Sequence, residues 1–340
     1  MSNQPEIALF PEEDLIHHRP DWFRKALAEE GETRFVTSEG TKIHYRFWKA
    51  KRADRPGLVF VHGNGAHARW FDFIAPQLTD DYNVASMDLP GMGDSGWRTE
   101  YTRETYAHAI AAVAFEGGLG EKPVIVGHSF GGFVTLITGG LYGDRLGGVM
   151  LCDFRVCPPE NAMEWFKNDP PRRATRIYPD FETAAARFRL APLQDCVNRY
   201  ILDYIGGHSL IEVKEGEDRG RGPEAASGWT WKFDPFAYEG LHMGPDHAEM
   251  FRTMPCKVAG IYGAQSKDYD PETIAFMRKT RPDAPIFTIP HAQHHIMLDQ
   301  PIAFSSAVHA LMSSWEAEGA LGAKAEPGDP KTGNLCAAAE

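Results

Sequence analysis

Val124-Ile125-Val126-Gly127-His128-Ser129-Phe130-Gly131-Gly132 reads as an apolar strand that stops in a sharp turn at Ser129 and continues into a helix carrying Phe133, Val134, Leu136 and Ile137. Glycines stand two residues to either side of the serine, at Gly127 and Gly131. A strand-to-helix turn this tight brings neighbouring backbone too close for a Cβ at either place. The serine is then held in a strained conformation with its Oγ exposed at the end of a sheet. A surface serine rarely needs that setting, whereas a nucleophile does.

Outward from this turn the chain alternates between apolar runs and helix-compatible segments. Residues 34–38 and 42–48 read as two strands joined by Glu39-Gly40 as a hairpin turn. Further strands are expected at 57–61, 82–87, 146–152, 257–262 and 285–289, with a helix-compatible stretch at 70–78 and a short helical pattern around Trp22, Phe23 and Leu27. Such alternation implies an α/β fold with a mostly parallel central sheet covered by helices on both faces. Reactive groups in these sheets collect in loops at the carboxyl ends of the strands.

Between about Arg155 and Tyr238 the alternation stops, and aromatics, prolines and arginines crowd together. We read residues 155–238 as a predominantly helical cap inserted between two halves of a core, 31–154 and 239–316. Residues 1–30 form an N-terminal extension. The polar, glycine-rich stretch 215–227 is expected to be a mobile loop within the cap, and 317–340 a disordered tail poor in groups to bury.

The 340 residues suffice for one large domain with an insertion, at 43% apolar and 24% charged residues, as in ordinary globular proteins. A formal net charge of −12 argues against a phosphate-binding face and against nucleic acid as a partner, and the basic pair Arg172-Arg173 does not reverse it. No basic stretch followed by a long apolar run opens the chain, so neither a signal peptide nor a membrane span is expected. Five cysteines without a C-x-x-C pair suggest reduced thiols and, by default, a cytoplasmic location. The sequence leaves a homo-oligomer open.

Four signatures occur in order: His62-Gly63-Asn64-Gly65 after a strand, Asp88-Leu89-Pro90-Gly91-Met92-Gly93-Asp94-Ser95 after the next, the Ser129 turn, and His294-His295 followed by Asp299-Gln300-Pro301. Together they resemble the α/β-hydrolase superfamily over roughly residues 30 to 316, closest to the cofactor-free esterases and lipases with helical caps. The resemblance implies that His294, rather than its neighbour His295, is the base that activates Ser129. It also implies an oxyanion hole from the backbone N–H groups of Asn64 and Phe130. Many members place the triad acid a few residues beyond the glycine that ends the penultimate strand, and here that place holds Ser266. Two carboxylates could take the role: Asp153 at the end of 149–152, a site that a subset of the family looks like it uses, and Asp268 two residues beyond Ser266. Asp153 is preferred, because Asp268 also fits a helix N-terminal acid beside Asp270 and Pro271.

The glycines of the 88–95 turn are read as structural. His67 and Trp70 are candidates to line a pocket, with packing the simpler role for Trp70. Trp229, Trp231, Phe233 and Phe236 are candidates for an apolar wall, although aromatics at this density more often build a core. No H-E-x-x-H, clustered ligand spacing or dinucleotide fingerprint is present, so no metal or organic cofactor is implied. The expected activity is a serine hydrolase that cleaves a carboxylic ester of a small apolar molecule through an acyl-enzyme. Carbon–carbon, lactone or amide cleavage by the same triad is the alternative. A non-catalytic ligand-binding fold is the third reading, invited by Ser266. Ser129 argues against the relatives that use a carboxylate nucleophile.

Overall fold

The computed structural model describes residues 19–161, 173–215, 217 and 227–322. Residues 1–18 of the N-terminal extension, Arg172, Cys336, most of the 215–227 loop and the tail beyond residue 322 lie outside the described residues.

The expected hairpin is β1 (Glu32–Ser38) paired antiparallel with β2 (Thr41–Trp48). Its turn residues Glu39 and Gly40 both have positive φ, 46° and 74°, the backbone that matches the twist of a two-residue hairpin. Then follow β3 (Gly57–Val61), β4 (Asn83–Met87), β5 (Val124–His128) and β6 (Gly148–Cys152), each buried along its whole length. A small ribbon, β7 (Leu210–Val213) with β8 (Gly228–Trp231), stands apart from them. β9 (Lys257–Gly263) and β10 (Ile286–Ile289) complete an eight-stranded sheet of order β1-β2-β4-β3-β5-β6-β9-β10. From β4 to β10 every pairing is parallel, and only the β1 and β2 pairings are antiparallel.

Strands buried on both faces need helices on both faces. On one side α2 (Arg103–Glu116) and α3 (Phe130–Tyr142) pack Tyr106, Ile110, Phe133 and Ile137 against Val59, Ile125 and Val149. On the other, α1 (Asp21–Ala28) and the C-terminal helix bring Phe23, Phe304 and Val308 against Leu58, Phe60 and Met150. The sequence reading did not single out α2. Alanine fills both its faces, so no apolar stripe marks it, and a Thr102–Thr105 capping box fixes its start.

Two elements differ from expectation. Residues 70–78 form two single turns of 3₁₀ helix, Ala68–Phe71 and Ala75–Leu78, instead of one helix. Pro76 lacks the N–H that a continuous helix needs and would collide with the carbonyl four residues back. The segment between β6 and β9 contains helices α4 (Phe181–Ala185) and α5 (Arg199–His208), but also the β7–β8 ribbon, which the expectation of a mostly helical insertion omitted. This segment is tied to loops at the carboxyl ends of β3 and β4. His67 Nε2 lies 3.1 Å from the Ile205 carbonyl and 3.0 Å from Ser209 Oγ, and the Gly93 N–H donates to the Lys232 carbonyl at 2.7 Å. After β8 come α6 (His247–Thr253), α7 (Pro271–Thr280), α8 (Ile296–Asp299) and α9 (Pro301–Ala317). Among the described residues no helix is long and apolar enough to cross a membrane. The four described cysteines are unpaired.

Buried histidines make this fold sensitive to acid. Burial, partly opposed by the Asp88 charge, holds His67 down to about 3, and burial together with the His294 charge does the same for His128, also to about 3. Both rings are neutral in the fold, whereas in the unfolded chain they take up protons near pH 6.5. The unfolded state therefore binds more protons below that pH. The stability is complete above about pH 6.5 and is lost as the pH falls towards about 3, at roughly 2 kcal/mol per ring by about pH 5. Urea midpoints measured between pH 7.5 and 4.5 should fall steadily below about pH 6.5, and a flat profile would show that the two rings are not held neutral.

Candidate active site

The in-register parallel pairing sets neighbouring strand ends side by side. His128 of β5 pairs with Cys152 of β6, and Cys152 with Ile261 of β9, so Ser129 and Asp153 leave adjacent strands at the same level. Both next residues then turn sharply. Ser129 has φ 55° and ψ −120°, and Asp153 has φ 47°, the left-handed region that costs a non-glycine residue on the order of 1–3 kcal/mol. Each is pinned by a backbone bond across the strand ends, Ser129 N–H to the Cys152 carbonyl at 2.9 Å and Asp153 N–H to the Ile261 carbonyl at 2.8 Å. The Ser129 carbonyl in turn accepts from Phe133 N–H at 3.1 Å and opens α3.

The structure brings the three sequence-selected side chains together. His294 Nε2 is 2.8 Å from Ser129 Oγ, and His294 Nδ1 is 3.0 Å from Asp153 Oδ1. The loop carrying His294 follows β10 and is held by Asp299, whose Oδ2 accepts from Gln293 N–H at 2.7 Å and from Gln194 Nε2 at 3.0 Å. Gln194 Oε1 also accepts from His295 N–H at 2.9 Å. The alternative acid, Asp268, is present as well: its Oδ2 lies 3.1 Å from the same His294 Nδ1. Ser266, at the position where an acid was expected, donates its hydroxyl to Asp153 Oδ1 at 2.5 Å, and Gly263 N–H donates to Asp153 Oδ2 at 2.9 Å.

Electrostatics separate the three clustered histidines. Burial alone would depress His294, but the hydrogen bonds and charges of Asp153 and Asp268 outweigh it and raise the ring to about 9. His295 is buried, makes an edge contact with Trp70 at 5.4 Å, and is driven well below its ordinary value by burial and by the two neighbouring rings. His128 was not selected from the sequence. Its Nε2 lies 2.8 Å from the His294 carbonyl, so it holds the loop that carries His294. Its position immediately before the serine was the only available signal.

The His62-Gly63-Asn64-Gly65 loop lies against Ser129. A Cβ on Gly63 would come within 3.2 Å of both His128 Nδ1 and Ser129 Cβ. Asn64 is exposed and Phe130 fully buried at the start of α3. The 88–95 turn is occupied structurally: Asp88 accepts from Ala68 N–H at 2.6 Å and Asp94 N–H at 2.8 Å, and lies 2.6 Å from His44 Nδ1. On β8 itself, Trp229 packs edge-on to Phe181 and Trp231 against Phe188, so these partly buried rings serve the packing of their own segment. Phe233 stands beside Gly65 of the loop and bridges to Met92. Three sets of described residues have ligand atoms within 4.8 Å and could hold a metal ion: His128 with His294 and His295, His44 with Asp88 and Asp94, and Asp153 with Asp268 and His294. In the latter two the donors already contact one another.

Comparison with known proteins adds a family and a set of relatives. A model described as the alpha/beta hydrolase family matches residues 58–307. The chain is 31% identical over 111 residues to the pimeloyl-[acyl-carrier protein] methyl ester esterase of Edwardsiella ictaluri, a match covering 33% of this chain and 41% of that protein. The corresponding match to the Neisseria meningitidis esterase of the same name covers 35% of its length, so the chain spans about two fifths or less of these relatives. A longer match, 22% identical over 272 residues, covers 76% of this chain and 83% of an esterase, Rv0045c, of Mycobacterium tuberculosis. The crystal structure of that esterase superposes with a TM-score of 0.63 at 18% identity, over 92% of this chain and 99% of that one, a likeness of fold.

The turn that presents Ser129 tolerates no side chain at Gly131, where a Cβ would sit against the carbonyl oxygens of Val61 and His62. Gly131→Ala should destabilise the fold by more than about 2 kcal/mol. A thermal melt should show a fall of about 5 °C or more, and an unchanged melting temperature would mean that β3 and α3 can separate at no cost.

Proposed function

Because the chain belongs to the alpha/beta hydrolase family, we propose that it is a serine hydrolase that cleaves a carboxylic ester of a small apolar molecule, with Ser129 as nucleophile. The observation that carries this reading is the 2.8 Å contact between His294 Nε2 and an Oγ presented by a strained, positive-φ residue. In the neutral tautomer His294 Nδ1–H donates to Asp153 and leaves Nε2 free to accept the hydroxyl proton. Ser129 Oγ attacks the ester carbonyl as that proton moves to Nε2. The carbonyl oxygen becomes an oxyanion facing the backbone N–H groups of Asn64 and Phe130. The imidazolium returns its proton to the departing alkoxide, and the alcohol leaves. Water, deprotonated by the same nitrogen, then releases the acid and restores the Ser129 hydroxyl.

Relatives named as esterases support the ester as the bond cleaved. We assign residues 155–238 the role of a cap over the strand ends, supported by the contacts of His67 with Ser209 and of Gly93 with Lys232. The feature that invites a non-catalytic fold, Ser266 in place of an acid, carries less weight when that serine donates to another acid.

A fluorophosphonate should label Ser129 rapidly, located by mass spectrometry, and Ser129→Ala should abolish labelling. Hydrolysis of p-nitrophenyl acetate by Ser129→Ala should fall by at least about 10³-fold. Turnover that survives the substitution would place the chemistry elsewhere.

A further inference from the structure

We propose that Asp268 is a second positioning carboxylate for His294, so that the base of this site is oriented and held by two acids, Asp153 and Asp268. The inference rests on the reading of Ser129 and His294 given above, and it starts from one nitrogen. Asp153 Oδ1 and Asp268 Oδ2 lie 3.0 Å and 3.1 Å from His294 Nδ1. A triad needs only one such partner. The remaining structural role for Asp268, capping the helix that follows, belongs to Asp270: its side chain accepts from the N–H groups of Glu272 and Thr273.

The two acids are also joined to each other. Ser266 Oγ donates to Asp153 Oδ1 at 2.5 Å and accepts from the Asp268 backbone N–H at 3.1 Å. One hydroxyl thus fixes both the buried acid and the loop that carries the second. Asp153 is nearly inaccessible, whereas the Asp268 side chain is 31% exposed. Behind Asp268, Arg155 Nε stands 3.7 Å from Oδ1. Against the opposing effect of burial, His294 and Arg155 hold Asp268 below its ordinary value, so it faces the ring as an anion.

The groups around the imidazole are Asp153 from the end of β6, Asp268 from the loop after β9, Ser129 and His128 from the end of β5, and the neighbouring His295. Burial holds His128 and His295 neutral, so the two carboxylates are the charges that act on the ring. A second anion within about 4 Å stabilises the imidazolium further, typically by one to three pH units. It helps the ring accept the serine proton but keeps it protonated to higher pH, where it cannot act as a base. Removing Asp268 should therefore lower the plateau rate and at the same time move the acid limb of the pH profile to lower pH. A loop residue that merely supported the fold would do the first without the second.

The test is the titration of the His294 ring by side-chain NMR in the parent protein, Asp268→Asn, Asp153→Asn and the double variant, together with kcat/KM for p-nitrophenyl acetate against pH. In Asp268→Asn the midpoint should fall by about one unit or more, with the acid limb following it. Asp153→Asn should lose about 10²-fold in rate, and the double variant at least about 10⁴-fold, the loss seen when a single-acid triad is disarmed. Asp268→Glu should restore part of both effects. A midpoint unmoved by Asp268→Asn, or Asp153→Asn as slow as the double variant, overturns the second carboxylate. The NMR midpoint decides this without any substrate. A parent protein that neither hydrolyses the ester nor accepts the fluorophosphonate defeats the hydrolase reading instead.

Discussion

Backbone meets backbone at the Ser129 turn, with no room for a methyl group between. A Cβ on Gly131 would press on the carbonyls of Val61 and His62, and one on Gly263 on those of Ala292 and Gln293. The first approach draws the start of α3 against the loop after β3. The second draws the end of β9 against the loop that carries His294. Everything reactive hangs from these two contacts, because they set the separation of serine, imidazole and the Asn64 loop before any side chain is placed. The left-handed backbone at Ser129 and Asp153 is tolerable in this frame, since each has its N–H satisfied by the adjacent strand.

Three imidazoles packed within 5.0–5.4 Å of one another could not all take up the second proton that makes them cations. Carboxylates decide which one does. His294 alone has an acid on Nδ1, and it alone is raised above its ordinary value. His128 and His295 lose their charge to burial and serve as neutral packing, His128 with one nitrogen committed to the His294 carbonyl. The chemical difference between adjacent His294 and His295 thus lies in what surrounds each ring, not in the residues themselves.

Much of this was legible in the sequence. The Gly-x-Ser-x-Gly turn, the spacing of His294 from Asp299-Gln300-Pro301 and the apolar runs led to the sheet and to three side chains that the fold does bring together. The sequence preferred Asp153 to Asp268 but could not place either against His294, because the placement of Asp153 depends on register: Cys152 opposite Ile261, and a turn at Asp153 that needs positive φ. Nor did the spacing indicate that both acids reach one nitrogen, which requires the Ser266 bridge. Helix α2 was missed because the alanines on both its faces leave no apolar stripe, and the β7–β8 ribbon because its strands are four residues each. His128 gave no signal beyond adjacency, since its partner is a carbonyl far along the chain.

The register also explains how a carboxylate, Asp153, can face His294 from the end of β6 when the family pattern favours an acid after β9. Neighbouring parallel strands lie about 4.8 Å apart, so moving a carboxylate one strand sideways carries it by less than the reach of an aspartate plus a bend in the backbone. The left-handed turn at Asp153 supplies that bend. The vacated position still matters, because a buried carboxylate needs its remaining lone pairs satisfied. Ser266, in the loop after β9, and the Gly263 N–H at its end fill that need. The end of β9 and the loop after it thus supply the donors, and a serine that looks like a loss in the sequence is the partner that satisfies the neighbouring carboxylate.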